Sequence, residues 1–155
     1  MFKEMRRMDK QLTEEENIGI LQKGEYGILS TISTNGYPYS VPLNYVYHNG
    51  SIYFHSAPEG HKLENIAIND RISFCVATDV ELLPQKFDSK YKSVILFGRA
   101  SLVVDAKEHE AALVALVKKY SPQYLEAGRE YIARAQGQAR IVKITIEHLT
   151  GKAEK

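Results

Sequence analysis

Apolar and polar residues alternate with a period of two over much of this chain, interrupted by shorter stretches with helical spacing. Six segments enriched in β-branched and aromatic residues read as strands: Tyr26 to Ser33, Tyr37 to Tyr47, Ser51 to Ser56, Arg71 to Thr78, Ser93 to Val104 and Arg140 to His148. Asn35-Gly36 and Asn49-Gly50 separate the first three. Asn-Gly supplies the positive φ angles of a tight hairpin, so these three strands are predicted to form a meander. Thr13 and Glu16 form a capping box ahead of a short helix with Ile18 and Leu21 on one narrow face and Gly24 as its stop. Leu63 to Ile68 reads as a second helix. Ala106 to Tyr120 reads as a third, with Asp105 and Glu108 as another capping box and Leu113, Leu116, Val117 and Tyr120 on one face. A further helix is expected from Gln123 to about Ala135, after the Ser121-Pro122 break, and Asp79 to Lys92 reads as a long loop around Pro84.

This order does not alternate as a parallel α/β fold would. The predicted fold is mainly β: a six-stranded antiparallel barrel, closed or partly closed to remove its edges, with flanking helices over the open end. A chain of 155 residues suits a single domain over 1–155, with 1–12 as an extended N-terminal arm.

Charge narrows the partners. Twenty Lys and Arg against 19 Asp and Glu give a net charge of +1, without the basic stripe that a nucleic-acid surface requires. The charged start MFKEMRRMDKQLTEEE holds no apolar leader, and no run is long enough to cross a bilayer, so the sequence reads as cytoplasmic and not membrane-bound. Cys75 lies within the apolar stretch RISFCVAT, where a buried thiol acts as a small hydrophobe.

Candidate chemistry concentrates in the loop EGHKLENI, which runs from the strand SIYFHS into a helix start. The first turn of a helix exposes unpaired amides and a positive dipole end, and Ser56, His61 and Lys62 stand close to it in sequence; Gly60 lets the backbone approach a ligand. This corner suits a phosphate, although on spacing alone the same residues also fit a plain turn with a solvated Lys62 and a surface His61. His48, His55, His61, His109 and His148 show no metal-ligand spacing, so no metal site is expected. Neither G-x-G-x-x-G, a P-loop nor G-x-S-x-G is present, which removes the Rossmann, P-loop and hydrolase schemes. The tyrosines and phenylalanines of the strands offer stacking surfaces for a planar ring and equally suit a core or a dimer contact.

The segments GEYGILSTISTNGYPYSVPLNYVY, IYFHSAPEGHKLENI followed by NDRISFCV, KSVILFGRASLV and ITIEHLTGK span Lys23 to Lys152 in an order and spacing that resemble one family. It is the pyridoxamine 5′-phosphate oxidase-like superfamily of FMN-binding split barrels, and most closely its nitroimidazole-resistance (Nim-type) branch. The resemblance implies a homodimer with FMN in a groove between protomers. Lys62 would pair with the phosphate, with Ser56 and His61 as further donors and His55 beside them. Val41, Pro42, Leu43 and Asn44 would run alongside the isoalloxazine ring, Thr31 would lie on the neighbouring strand, and Ser93 would reach flavin from the partner subunit. The chain lacks the R-x-x-L-L-K strand and the C-terminal arginine and histidine that hold the substrate phosphate in true pyridoxamine phosphate oxidases, which disfavours vitamin B6 oxidation. The implied activity is an FMN-dependent oxidoreductase passing reducing equivalents from a small-molecule reductant to a small planar acceptor such as a nitroimidazole. The alternative is a non-catalytic carrier or sensor that binds flavin or haem, with FAD or haem replacing FMN. No catalytic acid or base is assigned; His61 is the nearby group suited to shuttling a proton.

Overall fold

The computed structural model describes residues 1–135 and 138–154; Gln136, Gly137 and Lys155 of the expected domain lie outside the described residues. Seven strands, β1 (Gly27–Ile32), β2 (Pro38–Leu43), β3 (Val46–His48), β4 (Ser51–Ser56), β5 (Arg71–Leu83), β6 (Asp88–Leu102) and β7 (Arg140–Glu154), form one antiparallel sheet. Its order is β2-β1-β5-β6-β7-β4-β3. Among the described residues four α-helices flank it: α1 (Glu14–Lys23), α2 (His61–Ile68), α3 (Ala106–Tyr120) and α4 (Leu125–Ala135). Among the described residues no helix is long and apolar enough to cross a membrane.

The strand count is seven rather than the expected six, because Tyr37 to Tyr47 is not one strand. Its first half pairs with β1 and its second half with β4, which lie far apart in the sheet. The expected meander is therefore two separate hairpins. Only Asn44 and Tyr45 separate the two edge strands, so the sheet must curl until its edges meet at that point, which makes the barrel a split one.

Tyr45 explains the break. Its backbone N–H donates to the Tyr120 hydroxyl at 3.0 Å, whose single proton is shared between the Glu25 carbonyl at 2.6 Å and the Tyr45 carbonyl at 2.9 Å, and the Tyr45 carbonyl also accepts from Lys119 Nζ at 3.0 Å. The end of α3 thus satisfies the backbone that a neighbouring strand would otherwise pair. The Tyr45 ring is fully buried, with its hydroxyl donating to the Leu21 carbonyl at 2.6 Å.

Lys119 is held over the Tyr45 ring, 3.8 Å from its centroid, and burial pushes its ammonium down from 10.5 to about 8. Between those values the unfolded chain holds a proton that the native form has released, so this group makes stability rise with pH across that window. The stability of the wild type relative to Lys119→Met should increase from about pH 8 to pH 10.5, read from urea midpoints. A constant difference across the window would contradict the burial of this amine.

Asp79 to Lys92 is a second correction, being mostly ladder rather than loop. β5 and β6 continue through a bulge near Asp79 to a turn at Pro84–Lys86, where Phe87 takes a left-handed conformation with φ 52°. This arm of the hairpin extends beyond the core, leaving Val80, Leu82 and Phe87 exposed, so its sequence lacks an alternating buried face. The helices match the reading more closely, with the reciprocal Thr13–Glu16 box at α1 and Asp105 capping the Glu108 amide of α3. Glu108 does not reciprocate. Its carboxylate accepts from the Tyr53 hydroxyl at 2.6 Å and pairs with Lys143 at 3.0 Å, tying α3 to β4 and β7.

The barrel interior holds Leu29, Phe54, Phe74, Leu96, Val142 and Ile144, closed by Leu21 of α1 and Ile66 of α2. A second core between α3, α4 and the outer side of β4 contains Leu113, Leu116, Ile132 and Tyr53. Cys75 faces outward from β5, half-buried instead of inside the core, because Phe74 and Val76 take the interior positions on either side; burial nevertheless raises its thiol. The N-terminal arm docks on the barrel. Phe2 stacks on His148 and Phe97, Lys10 pairs with Glu154, and buried Leu12 donates its amide to the Gly151 carbonyl.

Candidate functional site

The inward side chains of β1 and β2 converge with α2 at one mouth of the barrel. Thr31 faces Tyr39 across the β1–β2 ladder, and Ser33 closes the hairpin by donating its amide to the Tyr37 carbonyl at 2.9 Å. His61 and Asn65 stand one turn apart on α2 and so share a face. Asn65 Nδ2 donates to Thr31 Oγ1 at 2.9 Å and to Ser33 Oγ at 3.2 Å. His61 Nε2 lies 3.1 Å from Ser33 Oγ, and its ring packs against that of Tyr39 with centroids 4.0 Å apart.

Gly60 is the N-cap of α2, with φ 154° and, among the described residues, no side chain bonded to the first-turn amides. Those of His61, Lys62 and Leu63 therefore face outward without a capping group. Lys62 is half-buried and makes no hydrogen bond or ion pair among the described residues. An uncommitted cation beside uncapped amides and a hydroxyl–imidazole–amide cluster is an arrangement that a phosphate would complete.

The residues singled out in the sequence fall into four places. Thr31, His61 and Lys62 meet at this corner. Ser56 is close by in sequence, but it is buried and its hydroxyl donates to the Ala57 carbonyl at 3.0 Å. Val41 and Leu43 turn their side chains inward against the core, while Pro42 points out. β2 is an edge strand, which leaves a row of its backbone groups unpaired by any neighbour. Asn44 lies at the far end of β2, five residues from Tyr39 or roughly 17 Å along an extended strand, and its amide donates to the Glu25 carbonyl at 3.0 Å.

His55 points to the opposite face of β4 from Ser56 and is exposed. It lines a cavity of about 420 Å3 together with Asn44, Tyr120, Tyr124 and Tyr131, above buried Leu116. Among the described residues no lysine, arginine or carboxylate side chain lines that cavity. Ser93 is on the outward face of β6 opposite Ala77, beside Arg6, Arg7 and Lys152 around a smaller cavity of about 170 Å3. Among the described residues no three His, Cys, Asp or Glu side chains gather as metal ligands.

Sequence reasoning missed Ser33 and Asn65, and counted Tyr39 only among the strand aromatics that offer stacking surfaces. The signal for Asn65 was available, since its i, i+4 spacing from His61 puts both on one helix face. Ser33 and Tyr39 join through pairing across the β1–β2 hairpin, which no local spacing reveals.

A curled antiparallel sheet whose edges meet at Asn44 and Tyr45, with a helix-capped polar corner at one mouth, defines a split-barrel protein. The family model described as pyridoxamine 5′-phosphate oxidase matches residues 13–153, and the chain belongs to that family. None of the curated proteins matches it. Among solved structures, a candidate 5-nitroimidazole antibiotic resistance protein from Bacteroides thetaiotaomicron is 22% identical with a TM-score of 0.75, covering 94% of this chain and 90% of that one. A FAD-binding protein from Mesorhizobium loti is 25% identical with a TM-score of 0.66, covering 94% and 98%. A FAD and haem binding protein from Mycobacterium smegmatis is 17% identical with a TM-score of 0.76, covering 94% and 74%.

Proposed function

We propose that this protein is a flavin-dependent oxidoreductase that binds FMN at the α2 corner and reduces a small planar acceptor. The observation that carries the reading is Lys62, which has no partner among the described residues yet stands in the first turn of an uncapped helix. Lys62 would balance the phosphate charge, while His61 and the amides of His61 to Leu63 donate to its oxygens. The unpaired backbone edge of β2 is suited to the polar rim of the ring. When bound, flavin supplies reversible electron transfer, so the chain itself needs no acid or base beyond those that orient the reactants.

The aromatic cavity beyond Asn44 suits the acceptor. Its tyrosines offer stacking faces, and the absence of a lysine or arginine from its lining among the described residues favours an uncharged ring such as a nitroimidazole over a phosphate ester. The outward sheet face exposes Ile32, Ile95 and Phe97, a surface that a second copy would cover in a homodimer while bringing its Ser93 toward the flavin groove. A second reading, a FAD or haem carrier without turnover, draws on the likeness to FAD-binding and haem-binding split barrels, with exposed His55 as the candidate axial ligand.

An absorption spectrum of the purified protein, with mass identification of the released cofactor, separates these readings. Released FMN followed by turnover of a nitroaromatic compound supports the oxidoreductase. Haem, FAD without turnover, or no uptake of added flavin counts against it.

Gly60→Val should impair cofactor loading more than folding. A β-branched residue at φ 154° is strained by about 1–3 kcal/mol, although no atom lies near enough to clash. Flavin content should fall several-fold while the urea midpoint changes modestly; a fully loaded variant with unaltered affinity would remove Gly60 from the site.

A further inference from the structure

We infer that Asn65, acting through Ser33, holds His61 in the tautomer that carries its proton on Nδ1. Asn65 Nδ2 spends its two N–H groups on Thr31 Oγ1 and Ser33 Oγ, so both hydroxyls are acceptors toward it. Each hydroxyl has one proton left to donate. That of Thr31 is directed to the Tyr39 carbonyl at 3.5 Å, and that of Ser33 to its one remaining partner among the described residues, His61 Nε2 at 3.1 Å. A nitrogen that accepts cannot carry a proton in the neutral ring, so the N–H of His61 is Nδ1–H.

Burial holds the Asn65 end of the relay in place. Asn65 is 3% exposed, Thr31 2% and Ser33 8%, so water cannot readily replace the bonds from Asn65 to the two hydroxyls, while the His61 ring at the far end is exposed. His61 Nδ1 has no partner among the described residues, and its residue opens α2 next to Lys62. The relay therefore converts a neutral imidazole into a fixed donor whose N–H adds to the helix amides at an anion. Asn65 and Ser33 are positioning residues, since neither needs to touch the ligand. The tautomer is independent of any flavin, whereas its use toward a phosphate rests on the function proposed above.

The test is a 15N–1H correlation spectrum of the histidine rings in the flavin-free protein at about pH 8.5, above the ordinary imidazole range, with the His61 signals assigned by their loss in His61→Gln. The expected pattern is Nδ1 protonated and Nε2 unprotonated. Ser33→Ala should return His61 to the Nε2–H form preferred by free imidazole. Asn65→Asp, which keeps the side-chain volume, should do the same because a carboxylate takes the Ser33 proton for itself. Ser33→Thr should retain Nδ1–H. In the same set, Kd for FMN should rise about tenfold in Ser33→Ala, the worth of roughly one hydrogen bond to a charged group, and recover in Ser33→Thr. Nε2–H in the wild type would overturn the inference, because Asn65 would then present its carbonyl to the hydroxyls. Nδ1–H without any FMN uptake would sustain the relay and refute the flavin reading instead.

Discussion

Replacing Lys62 with alanine should weaken FMN binding by about 1.5–3 kcal/mol, the usual contribution of a hydrogen bond to a charged group, or roughly ten- to a hundredfold in Kd. The size of the effect follows from the lysine's isolation. It has no carboxylate to release and no hydrogen-bond network to disturb among the described residues, so little of its loss should appear as lost stability. Fluorescence titration of flavin into the two proteins measures the change, and urea midpoints within about 0.5 kcal/mol of each other would show that the fold is intact. The effect should shrink as salt is raised, because a point charge on a partly exposed anion is screened. Unchanged affinity would move the phosphate away from α2.

Gly98→Ala should destabilise the protein by about 3 kcal/mol, at the upper end for overpacking. Gly98 sits at the register shift between β6 and β7, and a Cβ placed there would lie 2.1 Å from the Thr145 carbonyl oxygen. The obstacle is backbone in the middle of the longest ladder, so it cannot rotate aside as a side chain would. Gly19→Ala is the matched control: nothing lies within 4 Å of its Cβ, and alanine favours the helix there. The control should be neutral or slightly stabilising in urea titrations. A Gly98→Ala protein as stable as the wild type would mean that the bulge can be redrawn without loss. The late Gly98-Arg99-Ala100 motif therefore owes its glycine to strand packing; its arginine pairs with Asp70 and Glu147 at the surface.

The α2 corner is partly legible in the sequence. Gly60, His61 and Lys62 are readable because a strand end, a glycine and a helix start are contiguous, and contiguity is what local spacing reports. His55 and Ser56 show the limit of that reading. Adjacent in sequence, they belong to opposite faces of β4, so Ser56 borders the barrel interior and His55 the aromatic cavity under α4. Ser93, on β6, turns to the outward face of the sheet, away from the corner that holds Lys62.

By itself the sequence determined the helices, the capping residues Thr13 and Asp105, the turns at Asn35-Gly36 and Asn49-Gly50, the mainly β composition and the strand-to-helix corner at Gly60. Each of these depends on interactions among residues a few positions apart, whose energies do not wait for the rest of the chain. The tertiary structure alone decided that one apparent strand would split at Tyr45, which edges would meet, and which side chains would join His61. Tyr45 breaks from the ladder because Tyr120, seventy-five residues later, satisfies its backbone. The Thr31–Ser33–His61–Asn65 relay exists because α2 folds back over the β1–β2 hairpin. Such partners are set by distant contacts, and no periodicity in the sequence records them.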